Sequence, residues 1–433
     1  MRGFVKNIIT RFSNSKEAKN AGWLIGGRVA QMVISFLVSI ITARYLGPSN
    51  YGLVNYGTAF VTFFTSVCTL GINSVIVKDF FDHPEEEGTA IGTTLGLRFV
   101  SSLLSSAMII GIVALADSGE PLTIQVTALC SLALIFQIFD TFNYWFQSRY
   151  LSKATSVASL IAYTVTALYK IILLILQKDV RWFAFATSVD YILVAVVLFA
   201  SYKKHGGPSL QFSFSKAGDL LKRSYHYILS GMMIAIYSQT DKFMLKQMLG
   251  EAEVGYYSLA SSLNFMWVFV LQAIIDSLYP TILMLHKTDK LAFERKNRQL
   301  YAIVIYVSVA VAILFAIFGK FVVNLLYGEE YLPAIMPLQI ITWYTIFSFL
   351  GVARNAWLVC ENKQRYLKYM YFSAALLNIV LNLVFIPHWG ATGAGVASLL
   401  TQIATSMLIP AFIKDMRPNI KLMIDAFMLK GIK

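Results

Sequence analysis

Three arginines stand inside apolar stretches, where a charge is costly: Arg28, Arg98 and Arg354. A charge at the middle of a bilayer costs about 2.5–3.5 kcal/mol even on the most lenient scale, so such residues face a protein interior or an aqueous cavity. A guanidinium suits phosphate, because its planar fork makes paired, charge-assisted hydrogen bonds. Asp140 and Asp276 stand in other apolar stretches at a similar depth. Three arginines against two aspartates leave at least one guanidinium unpaired, the condition for holding an anion. The simpler reading is structural pairing, Arg98 with Asp140 first, or snorkelling to the headgroups. A second set comprises Lys170 with Asp190, and Asp241 with Lys242 and Lys246. Lys170 and Asp190 read as a structural pair. Asp241 is a candidate proton or sodium site, with pairing to Lys242 the simpler alternative.

Other chemistry is poorly supported. Cys68, Cys130 and Cys360 are scattered and the five histidines form no HExxH pair, so no metal or cofactor is expected beyond a coupling ion, H+ or Na+. Gly390 to Gly395 is not GxGxxG and opens an apolar stretch, where small residues permit close helix packing. Tyr56, Tyr144, Tyr237 and Trp145 could stack on sugars, but their helical spacing fits core or interfacial positions better. The loops on one face are short and hold no nucleophile–base pair, which argues against a membrane polymerase or ligase.

The elements that must position these residues are membrane helices. Of 433 residues, 57% are hydrophobic and 14% charged, where a soluble domain carries roughly 25% charged residues. Mean hydropathy is +0.63. Spans of about 20 apolar residues fall near 21–43, 51–77, 91–116, 122–146, 155–177 and 183–202, then 226–248, 256–283, 301–326, 334–359, 369–387 and 391–413. Arg28, Arg98 and Arg354 then lie roughly five to seven residues from the inner ends of their spans, about 8–12 Å deep at 1.5 Å per residue. Most of the 36 Lys and Arg fall in alternate segments, leaving Arg44, Lys178 and Arg181 in the opposite loops. That asymmetry places both termini in the cytosol and accounts for the net charge of +13 without nucleic acid. One loop dissents, since Lys78 to Gly88 carries Asp79, Asp82, Glu85, Glu86 and Glu87.

The organisation expected is all-α. Residues 1–202 form a six-helix bundle preceded by an interfacial helix carrying Phe4, Ile8 and Phe12 beside Lys6 and Arg11. Residues 203–225 form a hydrophilic cytosolic linker, and 226–433 a second bundle of six helices with a cytosolic tail. An internal repeat supports the division. Leu46-Gly47-Pro48-Ser49-Asn50-Tyr51-Gly52 follows the first span and Leu249-Gly250-Glu251-Ala252-Glu253-Val254-Gly255 the seventh, both reading LG-x4-G. Transporters are commonly built from such repeats.

The stretches Ala43 to Gly52, Thr240 to Leu245, Glu253 to Ala260, Leu377 to Asn382 and Ile386 to Gly390 resemble the Wzx-type polysaccharide transporters of the multidrug/oligosaccharidyl-lipid/polysaccharide superfamily. The resemblance runs through nearly the whole chain. It implies about twelve transmembrane helices in two bundles around a central cavity, working by alternating access in a bacterial inner membrane. It implies an undecaprenyl-pyrophosphate-linked oligosaccharide, as in O-antigen, capsule or exopolysaccharide assembly, as the substrate. A polysaccharide polymerase and a chain-length regulator would be partners, beside membrane lipids, and the chain would act as a monomer. Arg28 is the residue carried over first as a pyrophosphate ligand. The alternative is a cation-coupled multidrug antiporter of the same superfamily, which favours acidic cavity residues over this excess of arginine.

Overall fold

Helix α3 (Glu87–Ala116) is inside out. Ser102, Ser105 and Ser106 are buried, whereas Leu104 and Leu115 are 61% and 83% exposed. Small hydroxyl residues pack inward, Ser102 donating to the Phe99 carbonyl (2.9 Å) and Ser106 to the Ser131 carbonyl (3.2 Å), while leucines turn outward, which is the pattern of a helix whose solvent is lipid. The chain, described here by a computed structural model, has backbone placed for residues 16–432 and side chains for these except 16–22, 24, 25, 28 and 230. The expected interfacial helix of the first residues lies outside the described residues, as does the side chain of Arg28.

Among the described residues every regular element is helical. Before α3 come α1 (Lys16–Cys68) and α2 (Asn73–Asp82), and after it α4 (Pro121–Gln137), α5 (Thr141–Ser148), α6 (Ser152–Ile175) and α7 (Val180–Lys204). Then follow α8 (Phe214–Leu249), α9 (Glu251–Thr288), α10 (Lys290–Tyr327), α11 (Ile335–Cys360), α12 (Leu367–Ile403), α13 (Ile409–Phe412) and α14 (Arg417–Phe427). Nine segments among the described residues are long and apolar enough to cross a membrane, so the chain is a multi-pass membrane protein. Two of them are broken by glycine: α1 turns at Gly47 (φ 69°) and α12 at Gly390 (φ 54°), backbone conformations that L side chains rarely adopt. Helix α8 is of spanning length but too polar to be counted with the nine.

The helices group into two units. The first comprises residues up to Tyr45 and Tyr56–Ala235. In it α4 packs on α7, α7 on α6, and α3 on α4. Its core includes Ile72, Ile76, Phe142, Trp145, Phe146 and Tyr202. Trp145 and Tyr56 are core residues: the Trp145 indole donates to Glu87 (3.0 Å) and the Tyr56 hydroxyl to Asp117 (2.9 Å). The segment expected as a linker is half helix, since α8 begins at Phe214. Its extended part lies along Gly88, Gly92 and Gly96, spaced four apart on one face of α3. A Cβ at Gly88 would meet the Ser209 carbonyl at 2.2 Å, and one at Gly92 the Gln211 carbonyl at 2.3 Å. The acidic loop finds its counterions here. Asp79, buried, pairs with Lys216 (2.9 Å) and Arg223, Glu86 with Lys216 (2.9 Å), and Glu87 with Arg149 (2.7 Å). The acidic loop and the basic linker therefore share one face.

The second unit comprises Leu46–Asn55 and residues from Ile236 onward. In it α11 packs on α10, α12 and α9, and α14 on α10, around Leu300, Tyr301, Val304, Leu350 and Trp357. The two LG-x4-G repeats meet here reciprocally. Gly47 and Gly250 both have positive φ, 69° and 98°. A Cβ at Gly52 would meet the Glu251 carbonyl at 1.8 Å, and one at Gly255 the Pro48 carbonyl at 2.2 Å. Glycine is required at both positions because each backbone occupies the space of the other's missing side chain.

Candidate functional site

Arg98 and Arg354 sit against departures from α-helical geometry in their neighbours. Arg98, on α3, is 2% exposed. It donates to the Thr141 hydroxyl (2.9 Å) and to the Asn73 side-chain carbonyl. Thr141 follows a 3₁₀ turn, Ile138–Asp140, that interrupts an otherwise continuous crossing. Such turns recur at hinges. Asp140 lies within electrostatic reach of Arg98 but forms no ion pair with it among the described residues, accepting instead from Asn143 (3.3 Å). The void beside Arg98, lined also by Cys68 and Gln137, is about 10 Å³. This conformation holds the guanidinium closed.

Arg354, on α11, is 4% exposed. Its Nη1 donates to the carbonyls of Ser406 (3.1 Å) and Thr405 (3.4 Å). The sequence explains why those carbonyls are available. Residues Ala404–Leu408 form a π-helical turn, and Pro410 follows. In α register the Ser406 carbonyl would accept from the amide of residue 410, and in π register the Thr405 carbonyl would; proline has no N–H to give. The guanidinium takes both places. No carboxylate pairs with Arg354 among the described residues, and the Nε of Arg354, like that of Arg98, is buried without a hydrogen-bond partner.

Asp241, on α8, is buried and fully engaged. Its carboxylate accepts from the Tyr257 hydroxyl, the Asn382 amide (2.6 Å) and the Ser398 hydroxyl (2.7 Å). Asn378 bridges the same group, accepting from Asn382 (3.1 Å) and donating to Ser398 (3.3 Å). Asn382 and Ser398 lie on either side of the break at Gly390, so one carboxylate ties both limbs of α12 to α8 and α9. The expected pairing of Asp241 with Lys242 is not formed among the described residues; Lys246 instead pairs with Glu251 (3.3 Å). The groups on the carboxylate are two hydroxyls and one amide N–H, and the hydroxyl, amide and carboxylate oxygens gathered there are of the kind that suit a proton or a hard cation. Sequence reasoning named Asp241 and missed Tyr257, Asn382 and Ser398, although two asparagines four apart in an apolar helix were a legible signal.

Other expected residues fall elsewhere. Asp276 is exposed on α9 and accepts from Gln272 (2.8 Å), and it forms no ion pair with Arg354 among the described residues. Lys170 and Asp190 line one cavity of about 240 Å³ within the first unit. They form no ion pair there among the described residues, and Asp190 accepts from Thr166 (3.3 Å). Tyr237 accepts from Gln402.

An all-helical, multi-pass fold of this kind is found in solved structures of membrane transporters. It superposes on the inward-closed lipid II flippase MurJ with a TM-score of 0.67 at 15% identity, over 94% of this chain and 91% of that one. An inward-facing multidrug resistance MATE family transporter of the MOP superfamily gives 0.67 at 13% identity, over 90% and 94%. At such identities the likeness concerns the fold. The chain belongs to the polysaccharide biosynthesis protein family, whose model matches residues 18–286. Among curated relatives, the capsular polysaccharide biosynthesis protein CapF of Staphylococcus aureus is 19% identical over 395 residues, covering 89% of this chain and 96% of that protein. The probable flippase AglR of Haloferax volcanii is 22% identical over 418 residues, covering 91% and 83%.

Proposed function

We propose that this protein is a flippase that carries a lipid-linked oligosaccharide, with an undecaprenyl pyrophosphate anchor, across the bacterial inner membrane by alternating access. The observation that carries this reading is the pair of buried guanidiniums, Arg98 and Arg354. Each is held by neutral acceptors, and neither has a carboxylate within ion-pair distance among the described residues. A positive charge kept without an ion-pair partner at such cost fits a protein whose cargo supplies the anion. A pyrophosphate would exchange the carbonyl and hydroxyl acceptors for stronger, charge-assisted ones. Both arginines are closed off in this conformation, so they receive the substrate in another state of the cycle, with Arg28 as a third ligand. Asp241 takes the coupling ion, a proton or Na+: binding there weakens the carboxylate's hold on Asn382 and Ser398 and so frees the two limbs of α12. The chain crosses the membrane twelve times in this reading, counting the nine apolar segments, the two divisions at Gly47 and Gly390, and α8. Both termini are cytosolic. A deletion strain tests the proposal. Surface polysaccharide is lost and the lipid-linked intermediate becomes inaccessible to lectin in right-side-out spheroplasts. Lectin-accessible intermediate at wild-type levels in the deletion strain would refute it.

A further inference from the structure

The cavity in the first unit is left unused by the proposed pyrophosphate and ion sites. It is lined by α1, α6 and α7 and has a volume of about 240 Å³. Lys170 and Asp190 both face it, yet they form no ion pair, and Lys170 donates no hydrogen bond among the described residues. Thr166, Thr187, Tyr163 and Tyr191 complete the polar wall. A lysine and an aspartate left apart in a membrane-embedded cavity are each costly, and an occupant that reconciles them must both donate and accept. A phosphate would be repelled by Asp190, and a cation by Lys170. A hydroxyl group does what neither ion does: it donates to the carboxylate and accepts from the ammonium. Several hydroxyls on one ring would reach both, with the apolar ring face against the tyrosines. We infer that this cavity is a subsite for one neutral sugar ring of the cargo, separate from Arg98 and Arg354; the inference rests on the reading of the protein as an oligosaccharide-lipid flippase. It follows that the sugar and the pyrophosphate are recognised by different side chains.

The test uses the full chain in nanodiscs and neutral methyl glycosides (glucoside, galactoside and N-acetylglucosaminide) as probes, followed by saturation-transfer NMR. Transfer to at least one glycoside is expected, weakened about 10- to 100-fold by Lys170→Met and by Asp190→Asn, the value of one charged hydrogen bond. Inorganic pyrophosphate does not compete. Thr187→Val serves where a charge variant does not fold. No transfer to the wild type, transfer unchanged in the variants, or displacement by pyrophosphate overturns the subsite. A parallel flipping assay compares prenyl pyrophosphate with and without its sugar. If the wild type flips the sugar-bearing lipid and Lys170→Met slows both lipids equally, the subsite falls while the transport reading stands. If glycosides bind as expected but neither lipid is flipped, the transport reading falls and the subsite stands.

Discussion

Replacing Pro410 by alanine separates the positioning of Arg354 from the stability of its helix. Proline in a helix interior costs about 3 kcal/mol, and residue 410 is where the chain forgoes an amide that would close on Ser406 or Thr405. Alanine restores that N–H. The helix then satisfies its own carbonyl, and Arg354 loses an acceptor it now holds at 3.1 or 3.4 Å. A hydrogen bond from a charged donor contributes about 1.5–3 kcal/mol, so the closed form of Arg354 weakens about 10- to 100-fold against a form open to an anion. Pro410→Ala is therefore expected to melt at or above the wild-type temperature while binding a fluorescent prenyl-pyrophosphate oligosaccharide about 10- to 100-fold more tightly in proteoliposomes. Arg354→Gln is expected to abolish flipping, and Arg354→Lys to fall between, since it keeps the charge and loses the fork. Pro410→Ala that binds this lipid with wild-type affinity, with Arg354→Gln flipping at the wild-type rate, would refute the reasoning.

Other outcomes follow from the same geometry. Asp241→Asn removes the carboxylate but keeps the shape, so flipping loses its dependence on a proton or sodium gradient, read by imposing each gradient in turn. Gly52→Ala and Gly255→Ala each drive a methyl into a carbonyl at 1.8 or 2.2 Å, costing about 1–3 kcal/mol and lowering the melting temperature in detergent. Asp79→Asn strands Lys216 and Arg223 and releases the linker to protease near residues 205–213. The cost stays below the roughly 3–5 kcal/mol of a fully buried pair, because the Arg223 side chain is 31% exposed. Asp415, outside the membrane, has its carboxyl lowered to about 2 by the hydroxyl of Tyr366 and the ammonium of Lys363. A carboxyl lowered on folding contributes stability above its unfolded value and loses it as pH falls through the folded one. Amide protection around residues 363–366, taken relative to the intrinsic exchange rate at each pH, is thus constant from neutral pH to about 4 and falls between about 4 and 2.

The sequence made the charged residues visible because an arginine in an apolar run has no surface to escape to. It did not reveal what holds them. Thr141 and Asn73 are dozens of residues from Arg98, and the carbonyls that hold Arg354 exist only because Pro410 opens the helix preceding it. The repeat was legible as a pattern, but its cause was not: Gly52 and Gly255 are fixed by each other's backbone, a contact between segments two hundred residues apart. Lys170 and Asp190 read as a pair from their depth along α6 and α7; they line one cavity without forming an ion pair among the described residues, because depth does not fix side-chain spacing. Asp276 was matched in depth to Arg354, but depth leaves rotation about the helix free, and the side chain points outward. The acidic loop looked anomalous only while its counterions, Lys216 and Arg223, were counted as belonging to a separate linker.

The central claim is most directly tested by giving one proteoliposome preparation two cargoes, a fluorescent prenyl-pyrophosphate oligosaccharide and a cationic dye. The account predicts that the lipid-linked sugar becomes accessible to an external quencher in an Arg354-dependent manner while the dye does not move. Dye transport without lipid movement, or lipid movement equal in Arg354→Gln, would contradict it.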